Sequence, residues 1–369
     1  MRKIVFFILS TFVLVNLAAA QTPQNTDTVM VLPFENISNK PEFNWVGESF
    51  AAALTDLLKN QALNVIDNDE RKTIQQRLSI PLTTLPSVAT SLKVAREGKA
   101  TLLIRGRYNI VSAQDKIAAS IDVWARIIRV NEGQFLIEEL QNGAKTALPE
   151  IYLREALAKL QTVEGQLAWQ IMYQREKQGT YFSEDYFVKQ ANKVPSKAFE
   201  AYIKGLLTAE TDFQTREGFF KNAMRLYAEA KTAENAEEKD KIYADPALEL
   251  GHFYLNRRQI QNAVEYFSKV PSEDSHYPEA AFYIGLIYWQ QNNYEQALAV
   301  LSPLADDLKL NSVYNTLGAI AVEASRAEKK DKTKAANNLN KGLEFLKKAS
   351  ESDPEDPESR FNYSVSLFL

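Results

Sequence analysis

Two stretches of this chain write the same helix pair twice. "LELGHFYLNRRQIQNAVEYFSKV" (248–270) aligns without a gap on "FYIGLIYWQQNNYEQALAVLSPL" (282–304). Gly251 and Gly285, Tyr254 and Tyr288, and Ala263 and Ala297 each stand 34 residues apart. Leu250 and Ile284 precede the glycines, and Phe267 and Leu301 follow the alanines by four. A period of this length constrains the fold strongly. One such unit cannot bury its apolar face alone and must stack on further copies of itself. Small residues at fixed positions let two helices approach, and the aromatics fill the space between neighbouring pairs.

The pattern of Leu-Gly, Tyr three later, Ala nine beyond and then a large apolar residue resembles the tetratricopeptide repeat. Weaker copies flank the two clear ones. "YIKGLL" (202–207), with Phe220 and Ala223, reads as a degenerate first repeat. "TLGAIAVEA" (316–324) opens a further one, its second helix displaced by the charged stretch "AEKKDKTKAANN", after which Gly342, Leu346, Ala349 and Pro354 regain repeat spacing. Asn362-Tyr363-Ser364 then falls where another first helix carries its Leu-Gly pair, with Phe361 expected to pack just before it. The repeats are placed at 196–369 with the last one incomplete, and the ending Leu-Phe-Leu is a poor polar cap for such an array.

The first part of the chain has other periods. "TVMVLPF" (28–34) and "LNVID" (63–67) are short β-rich runs. "NWVGESFAAALTDLLKN" (44–60) spaces Val46, Phe50, Ala53, Leu54, Leu57 and Leu58 by three and four, as an amphipathic helix does. Asp67 offers a cap for a helix through Leu78. "ATLLIRGRYNIV" (100–111) sets Leu102, Ile104, Gly106, Tyr108 and Ile110 on one face, and "KIAASIDVWARIIRV" (116–130) does the same with Ile117, Ala119, Ile121, Val123, Ala125 and Ile127. Period two predicts strands with one covered face, and "QFLIEELQ" (134–141) after a turn predicts an antiparallel meander. A helix over Leu148 to Tyr173 is expected to close the unit. The expected fold is a mixed-sheet α/β sandwich followed by an all-α tetratricopeptide solenoid, joined by a linker over 176–195.

"VMVLPFENIS", "NWVGESFAAALTDLL", "REGKATLLIRGRY" and "ARIIRVNEGQF" together resemble the amino-terminal domain of TolB-type and FlgO-type bacterial envelope proteins, over residues 28–175. The resemblance implies a non-catalytic envelope domain used for assembly or partner contact, and it carries no catalytic motif.

Residues 1–20, "MRKIVFFILSTFVLVNLAAA", combine a basic start, an apolar run and a small-residue cleavage site, so they read as a secretory signal. The apolar run is shorter than a spanning helix needs, so no stable membrane span is expected after cleavage. Export to the periplasm or an outer-membrane-associated location follows. With no Cys in the chain, no disulfide and no lipidated Cys exists, and the core must supply stability. A formal charge of −4 with mixed signs and no basic stripe argues against nucleic acid.

The chemistry that the residues could carry is sparse. The two histidines, His252 and His276, lack partners at metal-ligand spacing, and the reading is polar surface residues. "DNDE" and "DPEDPE" lack a calcium loop's spacing and are read as caps and turns. No phosphate loop, nucleophile elbow or dinucleotide fingerprint is present. No metal or cofactor is expected, and the chain is read as no enzyme. In tetratricopeptide arrays the first helices line a concave groove, and the resemblance places Tyr202, Leu248, His252, Asn256, Phe282, Leu286, Trp289, Gln290, Asn315 and Glu323 there. Phe282 and Trp289 can equally be inter-repeat core, since periodicity alone does not separate the two. Contacts to a peptide are expected to be aromatic and apolar rather than a charged clamp. The function expected is an exported scaffold for protein partners in the bacterial envelope. The other reading is a regulatory or sensor part of an envelope enzyme whose catalytic region lies outside this chain.

Overall fold

The computed structural model describes residues 27–368 except 60–62, 82–85, 114–117, 140–144, 176–180, 235–236 and 238–240. The signal-like segment 1–20 lies outside the described residues. The rest divides into two compact units, one running to Leu226 and one from Tyr227 onward.

In the first unit, β1 (Thr28–Val31), β2 (Glu35–Asn36), α1 (Trp45–Lys59), β3 (Asn64–Val65), α2 (Asn68–Arg77) and α3 (Val88–Glu97) precede two long strands, β4 (Leu102–Val111) and β5 (Ser120–Arg129). Next come β6 (Gln134–Phe135), the small hairpin β7 (Ile137–Glu139) and β8 (Lys145–Ala147), β9 (Ile151–Ala156), α4 (Leu160–Arg175), α5 (Glu184–Ala191), α6 (Ser196–Leu207) and the start of α7 (Phe213–Ala233). The sheet runs β3-β1-β4-β5-β6, with β2 also on β4 and β9 also on β5. β1 is parallel to β3 and β4, and β5 is antiparallel to β4 and β9, so the sheet is mixed.

The period-two residues do face together. Ile104, Tyr108 and Ile110 of β4 and Ile121, Val123, Ala125 and Ile127 of β5 share one core with Phe50 and Leu54 of α1, Leu167 and Ile171 of α4 and Phe187 of α5. Burying so much apolar side chain is the main stabilising term, at roughly 1.5–3 kcal/mol for each large residue. Gly106 is required here because the ring of Phe34 lies where its Cβ would be. That ring stacks on Phe50 at 4.7 Å.

A second core lies on the other face, where Met30, Leu32, Leu103, Ile128 and Val130 meet Ile74 of α2 and Leu92, Val94 and Ala95 of α3. One covered face was expected of β4 and β5, but Leu103 and Ile128 are buried on the other face as well. Among the described residues, this second cover reaches one end of the sheet only. Next along the same face, Arg105, Arg107, Trp124 and Arg126 are half-exposed.

Two expectations are corrected. Residues 151–156 are not the start of a helix over Leu148 to Tyr173 but the strand β9, paired with β5 from Ala125 to Ser120. The two-residue β6 covers only Ile128 and Arg129 of β5, which leaves the rest of that edge for β9. The segment expected as a linker, 176–195, carries α5. Phe187 of α5 is fully buried, because Gly165 of α4 lets the backbone at Phe187 and Val188 come in where a Cβ would otherwise be.

The second unit continues as α8 (Ala244–Asn256), α9 (Ile260–Phe267), α10 (Tyr277–Gln290), α11 (Tyr294–Leu308), α12 (Asn311–Ala327), α13 (Lys332–Ser352) and α14 (Pro357–Ser366). The pairs α8/α9, α10/α11 and α12/α13 are helical hairpins. In each, a glycine of the first helix takes a large side chain of the second: Gly251 takes Phe267, Gly285 takes Leu301, and Gly318 takes Leu346. Gly205 and Phe220 repeat the arrangement in the first unit. A Cβ at any of these glycines would overlap its partner.

The charged insertion makes one hairpin taller without changing this contact. Gly318 and Leu346 are 28 residues apart where the other two pairs of this unit are 16 apart. The twelve extra residues lengthen α12 by four after its glycine, the turn by one, and α13 by seven before its leucine. Helix α14 corrects a third expectation. Phe361 does not pack: it is 61% exposed and Phe368 is 90% exposed, while Ser359, Asn362 and Ser366 are buried. Ser359 donates to Asn311 Oδ1 at 3.0 Å and Asn362 to Asn315 Oδ1 at 3.1 Å. The face of α14 toward α12 is therefore held by hydroxyl and amide groups.

Candidate functional site

The first helices of the second unit place a donor on each helix opposite a carboxylate on the next. His252, one residue after the small Gly251, lies 2.9 Å through Nε2 from Glu279 Oε1 in the first turn of α10. A carboxylate there accepts, so Nε2 carries the proton. The imidazole also stands edge-on to Phe267 at 5.1 Å and to Tyr283 at 4.5 Å. Trp289 near the end of α10 donates its indole N–H to Glu323 of α12 at 2.7 Å. Asn315 of α12 donates to Glu358 in the first turn of α14 at 3.4 Å.

Acids in the first turn suit the N-terminal end of the helix dipole, and Asp245, Glu279 and Glu358 all occupy it. Burial pushes the Glu358 carboxyl above the usual range, with Asp356 adding to this and the Asn315 amide opposing it. Burial, then the charge of Glu279, raises the Tyr283 phenol. Trp289 and Asn315 are uncharged donors, so the row presents carboxylates beside half-exposed apolar area.

The expected site residues separate into three groups. Phe282 and Leu248 are 4% and 8% exposed and belong to the core between helices. His252, Leu286, Trp289, Asn315 and Glu323 are half-buried, and Asn256 and Gln290 are exposed at the ends of their helices. Tyr202 is in the first unit, half-buried, with its ring 6.1 Å from Phe220. The histidines are not plain surface residues: both are half-buried, and His276 lies 2.8 Å from Asp274 through Nδ1.

Glu279 and Glu358 were missed by sequence reasoning. A signal existed for the first, since Asp245 and Glu279 each stand six residues before a repeat glycine. A second miss lies in the α/β unit. Glu164 of α4 is fully buried, takes the hydroxyl of Ser49 of α1 on one carboxyl oxygen and has no partner on the other. Burial pushes its carboxyl up to about 8, against a smaller opposing effect of Ser49. Among the described residues, no three His, Asp or Glu gather as metal ligands, and no helix is long and apolar enough to cross a membrane.

No family model matches the chain, and no curated protein matches it. Solved structures similar to parts of it include MamA from Desulfovibrio magneticus RS-1 from residue 41 to its end, 19% identical, covering 47% of this chain and 92% of that one with a TM-score of 0.31. The C-terminal domain of LpoB from Salmonella enterica is 11% identical over 34% of this chain and 82% of that one, TM-score 0.24. Lipoprotein GNA1162 from Neisseria meningitidis is 12% identical over 40% of this chain and 98% of that one, TM-score 0.26.

Proposed function

We propose that the chain is a non-enzymatic, exported scaffold of the bacterial cell envelope, with a TolB/FlgO-type α/β domain over 28–175 and tetratricopeptide-type repeats after residue 196. The repeats take protein segments along their first helices. Apolar side chains of such a segment lie over Leu286 and Trp289, and its backbone and polar groups meet Asn256, Gln290, Asn315 and the carboxylates. Phe282 shapes this surface from below and does not touch the partner. Support for the reading comes from one observation above all: the bridges His252 to Glu279, Trp289 to Glu323 and Asn315 to Glu358 tie four consecutive first helices through one row of half-exposed groups.

The test is site-directed photocrosslinking in the native envelope. A crosslinker at Asn256 or Gln290 is expected to trap a discrete partner, and one at the exposed Lys347 of α13 is not. Equal trapping at all three positions, or none at the first two, overturns the groove. Export is tested separately, by N-terminal sequencing: mature protein starting at Gln21 is expected, and Met1 on cytoplasmic protein overturns it.

A further inference from the structure

We propose that the open end of the sheet face formed by β4, β5 and β9 is a second docking surface, for an acidic region of a protein partner. The out-facing residues there are arginines and aromatics. Trp124 lies directly across from Arg107 on β4 and from Tyr152 on β9. The two rings are 5.4 Å apart, and the Arg107 guanidinium lies over the indole at 5.1 Å. Arg126 lies over Phe135 at 4.4 Å. Tyr152 is 50% exposed, and Arg107, Arg126 and Arg154 expose 42%, 35% and 59% of their side chains. Trp, Tyr and Arg are the residue types that most often anchor protein interfaces.

The charge arrangement says which partner fits. Arg105 and Arg126 stand directly opposite each other across β4 and β5. Like charges in that position destabilise a sheet, so folding alone does not favour this pair. Glu150 answers the group only in part. It takes Arg107 in a two-pronged contact at 2.9 and 3.0 Å and Arg126 at 3.4 Å, while Arg105 turns to the Pro86 carbonyl at 2.9 Å. Asp122 accepts from Tyr152 at 2.7 Å and pairs with Arg154 at 3.5 Å. Among the described residues, four arginines thus face three carboxylates, Asp122, Glu150 and the exposed Glu35 of β2 that acts on Arg105, and the remaining positive charge attracts a further carboxylate. Guanidinium groups already aligned beside flat rings lose little freedom when they grip one. A nucleic acid fits less well, because Asp122 and Glu150 lie within the surface and repel a continuous run of phosphates.

The experiment uses the full chain and fluorescence anisotropy with three labelled probes: a short peptide alternating Glu and Leu, its Lys-for-Glu counterpart, and an oligothymidine. The Glu peptide is expected to bind best and to weaken as salt is added. Arg107→Gln, Arg126→Gln and Trp124→Ala are each expected to cost it about tenfold in affinity, and Arg77→Gln on α2 is expected to cost nothing. The two glutamine variants keep the test valid should the tryptophan variant fail to fold, which circular dichroism reports. The proposal is overturned if the Lys peptide binds as well as the Glu peptide, if the oligothymidine binds more tightly, or if the arginine variants bind the Glu peptide as the unaltered chain does.

Discussion

The indole N–H of Trp289 donates to the carboxylate of Glu323 at 2.7 Å, and the two residues are 34 positions apart. One repeat length along the chain thus becomes one hydrogen bond between neighbouring first helices. The bond is charge-assisted and half-buried, so it joins hairpins that otherwise meet through one apolar core, which includes Phe282, Val313 and Leu317. It also holds the indole in place at the surface proposed to take peptides.

Trp289→Phe keeps the apolar contact and removes the donor. The expected loss of stability is about 1 kcal/mol, the usual net size of such a bond once solvent access is allowed for. A double-mutant cycle with Glu323→Leu, which removes the acceptor, in urea should show most of that loss as coupling. Independent effects of the two changes would mean that the bond contributes nothing.

Two glycine-to-alanine changes should go in opposite directions. At Gly285 the added Cβ overlaps Leu301, and at Gly218 of α7 it meets nothing within 4 Å. Gly285→Ala is expected to destabilise by about 1–3 kcal/mol through overpacking. Gly218→Ala is expected to stabilise by about 0.5–1 kcal/mol, because alanine costs the helix less entropy. Denaturation midpoints compare the two directly.

The turns inside the first two hairpins of the second unit hold Arg258 at φ 59° and Asn292 at φ 60°, again 34 residues apart. This left-handed region strains a branched or long side chain and is natural for glycine, with asparagine between. Arg258→Gly should therefore raise stability by up to about 1 kcal/mol, and Asn292→Gly by less. A larger gain at Asn292 would contradict the strain argument.

Glu164 makes stability depend on pH. Its carboxyl in the folded chain is pushed up to about 8, above the value near 4.3 of an unfolded chain. Between these values the folded state holds a proton that the unfolded state has released, so stability falls as pH rises through that window. The slope from this one group approaches about 1.4 kcal/mol per pH unit. Below the window it has no effect, and above it the penalty is constant. Glu164→Gln should remove that slope and leave the chain more stable than the parent at pH 8. Parallel stability curves for the two proteins would refute the assignment.

What sequence alone determined were the features that repeat over short spans. The 34-residue period located Gly251 with Phe267 and Gly285 with Leu301, because close helix approach demands a small residue at one position and a large one at another. Period two placed Ile104, Tyr108, Val123 and Ala125 on one face, because alternate side chains of a strand must point the same way. Tertiary structure decided whatever depends on a distant partner. α14 carries both an apolar set, Phe361 and Phe368, and a polar one, Ser359 and Asn362, and only the nearby Asn311 and Asn315 select the polar set for burial. Residues 151–156 fit a helix by composition and became a strand because β5 offered an unpaired edge. Glu164 sits in an apolar core because Ser49, more than a hundred residues earlier, meets it there. Periodicity records which way a side chain points, and packing decides what it meets.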